Sequence, residues 1–147
     1  MAFNKSQKQL VPVDIIKTID ITKEYIEAGE TEIRANLLKL EVNGKSPFDE
    51  FLNVSPKKVS KKKKIIEEME AYLTLLIQGE DIPPNKVHPI GSNEYEIRIK
   101  RTRIYFFYDP PSHNIIVLGH YNKRSDDQQT YIDKFRELKT KYLNQKI

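Results

Sequence analysis

Apolar and polar positions repeat along this chain with two different periods. From Ile33 to Val42, Leu38, Leu40 and Val42 alternate with Lys39 and Glu41, the two-residue period of a half-buried strand, and Asn43-Gly44 closes it. Ser46-Pro47 then opens a short helical turn through Phe48, Phe51 and Leu52. Ser55-Pro56 opens a longer helix, because Ser is a good N-cap and Pro is tolerated at the first helical position. Val59, Ile66, Met69, Leu73 and Leu76 recur at helical spacing as its expected buried stripe. Gly79 and Pro83-Pro84 end it, so the two segments form a helical hairpin. Beyond it the two-residue period returns. Tyr95 to Lys100 alternates cleanly, Ile104 to Tyr108 is a continuous apolar run suited to a central strand, and Ile115 to Leu118 follows a turn at 109–114. Ser125-Asp126-Asp127-Gln128 reads as a capping box, and Tyr131, Phe135, Leu138 and Tyr142 line one face of a last helix.

The first 31 residues are less regular. Residues 1–12 read as a loose tail. Val13 to Ala28 fits a helix through Ile15, Ile16, Ile19, Tyr25 and Ile26, while Ile19 and Ile21 would also suit a strand. The pattern therefore predicts one α+β domain over 32–147: a strand, a helical hairpin, a three-stranded antiparallel meander and a C-terminal helix. Residues 1–31 form an N-terminal extension of tail plus possible helix. The three meander strands should make one antiparallel sheet, paired with the strand near 33–42.

Composition narrows the class. A chain of 147 residues suits a single domain with its own core, and eight Tyr with six Phe are too many for a disordered polymer. The absence of Cys removes disulfides, thiol nucleophiles and Cys-based zinc sites. No apolar run approaches the roughly 20 residues that span a bilayer, and no signal-like segment follows Met1, so a cytoplasmic protein without a membrane partner is the expectation. Charge is uneven: residues 1–54 sum to −2 and residues 55–147 to +6. A basic portion of this kind favours polyanion partners.

The candidate chemistry lies mostly in that portion. Arg98 and Lys100 are two apart on one strand and share a face, with Ile97 and Ile99 turned to the core. Together with Arg101 and Arg103 they read either as the solvated face of a sheet or as a phosphate-binding one. His120 adjoins Lys123-Arg124 and is of a residue type that can titrate near neutrality, and Tyr121 competes with it as a group able to move a proton. The spacing of Tyr131 with Phe135, Leu138 and Tyr142 predicts a core residue, whereas His88 and His113 fall in turns. Lys61-Lys62-Lys63-Lys64 would ordinarily be a solvated helix face. Lysines near a helix N-terminus, however, oppose the dipole at about 0.3–1 kcal/mol each, and Lys63–Glu67 and Lys64–Glu68 run in the less favourable direction, so contact with nucleic-acid phosphates is the alternative. No His or carboxylate pair has metal-ligand spacing, and there is no Gly-rich phosphate loop; neither metal nor cofactor is expected.

The order strand, helical hairpin, meander, terminal helix meets a known pattern in Tyr95-Glu96-Ile97-Arg98-Ile99-Lys100, Ile104-Tyr105-Phe106-Phe107-Tyr108 and Ile115-Ile116-Val117-Leu118-Gly119-His120-Tyr121-Asn122-Lys123-Arg124. This run of a basic strand, an aromatic strand, a hydrophobic strand and a Lys-Arg pair resembles the RelE/ParE/HigB toxins of type II toxin–antitoxin systems. The resemblance covers about residues 32–143. It implies a ribosome-dependent, metal-independent mRNA endonuclease whose partners are a cognate antitoxin, the ribosome and mRNA. The alternatives it leaves open are a ParE-like DNA gyrase inhibitor and a non-catalytic nucleic-acid- or protein-binding module of the same fold. For the nuclease it implies attack of a 2′-OH on the adjacent phosphate, with Arg98 and Arg124 stabilising the transition state, and Tyr131 or His120 moving protons. Lys100, Arg101, Arg103, Lys123, Lys61 and Lys64 would contact RNA. Arg98 and Arg124 should then converge on one concave basic patch. Two departures stand out: Phe106 follows Tyr105 where the family often has Arg, leaving Arg103 as the nearest cation, and residues 1–31 have no counterpart in a minimal member.

Overall fold

The computed structural model describes residues 13–26, 32–54, 59–121 and 127–145. Within them lie strands β1 (Ile16–Asp20), β2 (Asn36–Val42), β3 (Val87–Gly91), β4 (Glu94–Ile99), β5 (Thr102–Asp109) and β6 (His113–Tyr121). The helices are α1 (Pro47–Asn53), α2 (Val59–Ile77) and α3 (Asp127–Gln145), with a 3₁₀ turn at Thr22–Glu24. The strands form one six-stranded sheet in the order β1-β2-β6-β5-β4-β3. Every neighbouring pair is antiparallel except β2–β6, which is parallel. The α+β class and the antiparallel meander agree with the expectation, and the sheet is larger than expected.

The additions have local causes. A helix over Val13–Ala28 is one expectation, and the described residues 13–26 instead hold a strand and a 3₁₀ turn. β1 pairs along β2 from Ile16↔Val42 to Asp20↔Leu38, with Ile16 buried and Ile15 and Ile19 exposed, a two-residue alternation. The strand ends where the Asp20 carboxylate accepts from the Thr22 backbone N–H (2.9 Å) and hydroxyl (2.6 Å), turning the chain. β3 carries Pro89 and forms the other edge of the sheet, where a missing N–H costs no ladder bond. His88 therefore lies in a strand and His113 begins β6, not in turns as expected.

Two helix signals mark real ends. The Ser46 side chain caps α1 by accepting from the Asp49 N–H at 3.1 Å. Gly79, at φ +71°, stops α2: its N–H reaches Leu76 C=O and the Glu80 N–H reaches Leu75 C=O, the paired bonds of a Schellman ending. The Ser55-Pro56 cap and the Ser125-Asp126 part of the capping box lie outside the described residues. The buried stripe of α2 is rotated from the expected one, running through Ile65, Met69, Leu73 and Ile77.

Helices cover both faces of the sheet. On one, α1 and α2 bury Phe48, Phe51, Met69 and Leu73 against Leu37, Ile97, Ile99, Ile104, Phe106 and Ile116. On the other, α3 places Ile132, Phe135 and Leu138 over Leu40, Tyr105, Phe107, Ile115 and Val117. Alternate residues of β5 thus serve different cores. Phe106 belongs to the hairpin side, stacked on Tyr95 at 5.3 Å, so an Arg at that position would enter an apolar core away from Arg98.

The far end of α3 also holds β1. Lys141 Nζ lies 2.6 Å from Asp14 Oδ2, and Asn43 Nδ2 donates to Asp14 Oδ1 at 3.1 Å. The Gln145 amide donates to Asp14 C=O and accepts from the Ile16 N–H. No helix among the described residues is long and apolar enough to cross a membrane.

Two predictions follow from this packing. A Cβ on Gly119 of β6 would lie 2.9–3.0 Å from the Phe51 ring of α1, so Gly119→Ala should destabilise by about 1–3 kcal/mol, read as a lower urea midpoint at unchanged slope. The hydrogen bond from Lys141 and that from Asn43 hold the Asp14 carboxyl below its usual pKa. A lowered carboxyl stabilises the fold above its unfolded pKa and loses that contribution as pH falls through the folded one. Hydrogen-exchange protection of the Ile16 amide should accordingly fall on acidification, and Asp14→Asn should flatten that dependence.

Candidate functional site

The polar positions of β4 lie beneath α3, not in open solvent. Glu94, Glu96 and Arg98 point to the α3 side, opposite Ile97 and Ile99. Glu94 is tied to α3 by Arg136 Nε and Lys139 Nζ, each 3.0 Å from a carboxylate oxygen. Glu96 has no exposed surface at all. Its Oε1 lies 2.5 Å from Arg98 Nε and 3.3 Å from Arg103 Nε, and its Oε2 accepts from the Gln128 amide in the first turn of α3.

This carboxylate resolves a conflict in the ladder. Arg98 and Arg103 stand directly opposite each other across β4–β5, a placement that like charges disfavour. Glu96 stands between the two cations and offsets one of their two charges. The two arginines are then used differently. Arg103 donates through Nη1 to the carbonyls of Lys100 (2.7 Å) and Thr102 (3.0 Å), and its side chain is 16% exposed. It braces the β4–β5 turn. Arg98 is 42% exposed and, among the described residues, makes its side-chain hydrogen bond through Nε.

Next to this charge cluster is a stack of rings. Tyr105, opposite Glu96 in the ladder, has its hydroxyl 2.9 Å from His120 Nε2 on β6. The His120 ring lies almost parallel to Tyr131 of α3, at 3.8 Å between centroids and 3° between planes. Tyr105 and His120 are buried, whereas Tyr131 is 36% exposed. Burial first, then the Glu96 charge, pushes the Tyr105 phenol well above its usual pKa. The outcome is a cation, a buried phenol–imidazole hydrogen bond and an accessible phenol on one face.

Of the residues expected to act, Arg98, His120 and Tyr131 lie on the same face of the sheet, Arg98 and His120 on either side of Arg103 in the ladder and Tyr131 stacked on His120. Arg124 and Lys123 lie outside the described residues, as does any convergence of Arg124 with Arg98. Tyr121 is on the other face, its ring 4.8 Å from Phe51, which removes it as a rival to His120. Tyr131 is not a core residue: the buried stripe of α3 is Ile132, Phe135 and Leu138, one position along from Tyr131. Lys100 does not share the strand face of Arg98, because Ile99 ends β4 and Lys100 sits in the turn at φ +53°. Lys100 and Arg101 are exposed at that turn. Lys61 and Lys64 are exposed on α2, across the sheet from Arg98. Glu68 lies 3.5 Å from Lys86 and accepts from the Tyr72 hydroxyl.

The sequence reading missed Glu96, Tyr105 and Gln128. One signal was present: Glu96 and Arg98 are opposite charges two apart on a strand, hence neighbours on one face. Gln128, expected in a capping box, spends its amide on Glu96 instead. Among the described residues, no three His, Asp or Glu side chains are grouped so as to hold a metal ion.

Tyr105→Phe removes the hydroxyl from a buried imidazole nitrogen and should cost about 1–3 kcal/mol in chemical denaturation, whereas Tyr131→Phe should change stability by under about 0.5 kcal/mol. No protein-family model matches the chain, and no curated protein is significantly similar to it.

Proposed function

We propose that this chain is a RelE/ParE/HigB-like toxin: a ribosome-dependent, metal-independent mRNA endonuclease neutralised by a cognate antitoxin. The observation that carries the reading is the grouping of Arg98, His120 and Tyr131 on one face of the sheet, at the start of α3. Cleavage by a 2′-OH needs a group to take its proton, a group to protonate the departing 5′ oxygen, and a cation where charge builds on the phosphate. Arg98 supplies the cation. Tyr131 is the ring exposed to RNA, and His120, stacked behind it and hydrogen-bonded to Tyr105, is the imidazole available to carry a proton. Lys100 and Arg101 at the adjacent turn, with Lys123 and Arg124 before α3, extend the cationic surface in this reading. Lys61 and Lys64 would meet rRNA from the other side of the molecule.

A second reading has its own support. Glu96 offsets the charge of Arg98 and Arg103, and Tyr105 and His120 are buried, which suits a ParE-like gyrase inhibitor or a non-catalytic binding module. Induced expression separates the three. Rapid translation arrest with mRNA cleavage supports the nuclease, a DNA-damage response the gyrase inhibitor, and unimpaired growth the binding module.

For the nuclease, Tyr131→Phe should lower cleavage by about 10²-fold or more with melting temperature nearly unchanged, since it keeps the ring stacked on His120 and removes only the hydroxyl. Arg98→Ala should lower it by roughly 10²–10³-fold. That variant should also melt earlier, because it takes a partner from the buried Glu96 carboxylate. Wild-type cleavage rates in both variants would remove these residues from the site.

A further inference from the structure

We infer that Glu96 is a positioning residue: by accepting the Nε–H of Arg98 it fixes the guanidinium so that the two terminal nitrogens face outward toward a phosphodiester. The inference rests on the nuclease reading for its catalytic consequence, though not for its geometry. A guanidinium carries five donors in a planar fork, and its pair of terminal nitrogens matches two phosphate oxygens. A carboxylate that took that pair would leave it unavailable to a ligand. Glu96 is instead 2.5 Å from Nε, the donor nearest the backbone, while the Arg98 side chain remains 42% exposed.

The surroundings fix Glu96 in turn. Oε2 is held by Gln128 from α3, and the second cation near Oε1, Arg103, is anchored by the carbonyls of Lys100 and Thr102. Stability alone does not explain the arrangement. A buried ion pair is commonly no better than apolar residues of similar volume, and Arg98, with its side chain 42% exposed, does not need a buried partner to be solvated. Placing a fully buried acid behind a half-exposed Arg makes sense when the direction of the Arg matters. Pre-organisation of this kind spares the reorganisation that a free surface Arg would undergo as charge develops on the phosphate.

The test uses the full-length protein and Glu96→Gln, which preserves size and an acceptor oxygen but not the charge. The expected result is at least about a tenfold fall in kcat for ribosome-bound mRNA with KM little changed, because binding draws on other cations while Arg98 acts in the transition state. In parallel, the Arg98 Nε–H resonance is followed by NMR during titration with a ribodinucleotide carrying a 2′-methoxy group at the scissile position. Wild type should show one ordered resonance that moves on titration; Glu96→Gln should show it averaged, with a weaker response. Should Glu96→Gln fail to fold, Gln128→Ala releases Oε2 from the side of α3 and should give the same changes at smaller amplitude. Equal kcat in wild type and variant overturns the inference, as does an Arg98 resonance unaltered by the substitution. If wild type cleaves no mRNA, the nuclease reading fails, and the titration decides the geometry by itself: no movement of the Arg98 signal with the dinucleotide overturns it.

Discussion

A carboxylate removed completely from water must be matched by the elements around it, and Glu96 imposes that condition on three of them. It keeps two opposed arginines of β4 and β5 compatible, and it fixes the first turn of α3 through Gln128. From that turn α3 crosses the sheet, tied at Glu94, packed through Phe135 over Tyr105 and Phe107, bonded from Tyr142 to Asp109, and joined at its end to β1. The placement of Tyr131 over His120 follows from this anchoring. A helix started one residue earlier or later would turn Tyr131 by about 100°, away from the imidazole.

The sheet separates two tasks. Its hairpin side is apolar and tightly packed, with Phe51 lying so close to Gly119 that no Cβ fits between them. Its α3 side mixes apolar contacts with Glu94, Glu96, Arg98, Arg103 and His120. Alternation along β4 and β5 makes this possible within two strands: Ile97, Ile99, Ile104 and Phe106 build one core, while their neighbours carry the polar network on the other side. Rigidity and chemistry are thus assigned to opposite faces of the same backbone, and the hairpin supports a site it does not touch.

What could be read from the sequence was what depends on neighbours in the chain. The Ser46 cap, the Gly79 stop, the alternation of β4 and the apolar run of β5 are local features, and each marks an element correctly. What could not be read depends on which surface is covered. Glu96 and Arg98 have the pattern of a solvated face, and only the arrival of α3 makes that face an interior. Tyr131 and Ile132 are equally compatible with the apolar stripe of a helix; the sheet beneath selects Ile132 and leaves Tyr131 for His120. β1 and β3 were missed or left open because each is five residues long and irregular in pattern, and draws its order from pairing with β2 or β4.

One small contact at the far end of α3 bears on the behaviour of the whole molecule in solution. The backbone groups of Asp14 and Ile16 that turn away from β2 are those a seventh strand would bind. Gln145 meets both with one side-chain amide, its N–H₂ on the Asp14 carbonyl and its oxygen on the Ile16 N–H. A primary amide has the same donor and acceptor as a peptide group, so Gln145 imitates a single residue of the missing strand. Open strand edges beside exposed side chains such as Val13 and Ile15 are where sheets of separate molecules join. Among the described residues, α3 thus fills the Asp14–Ile16 position of the β1 edge with a group that cannot propagate a ladder, a local obstacle to edge-to-edge pairing there.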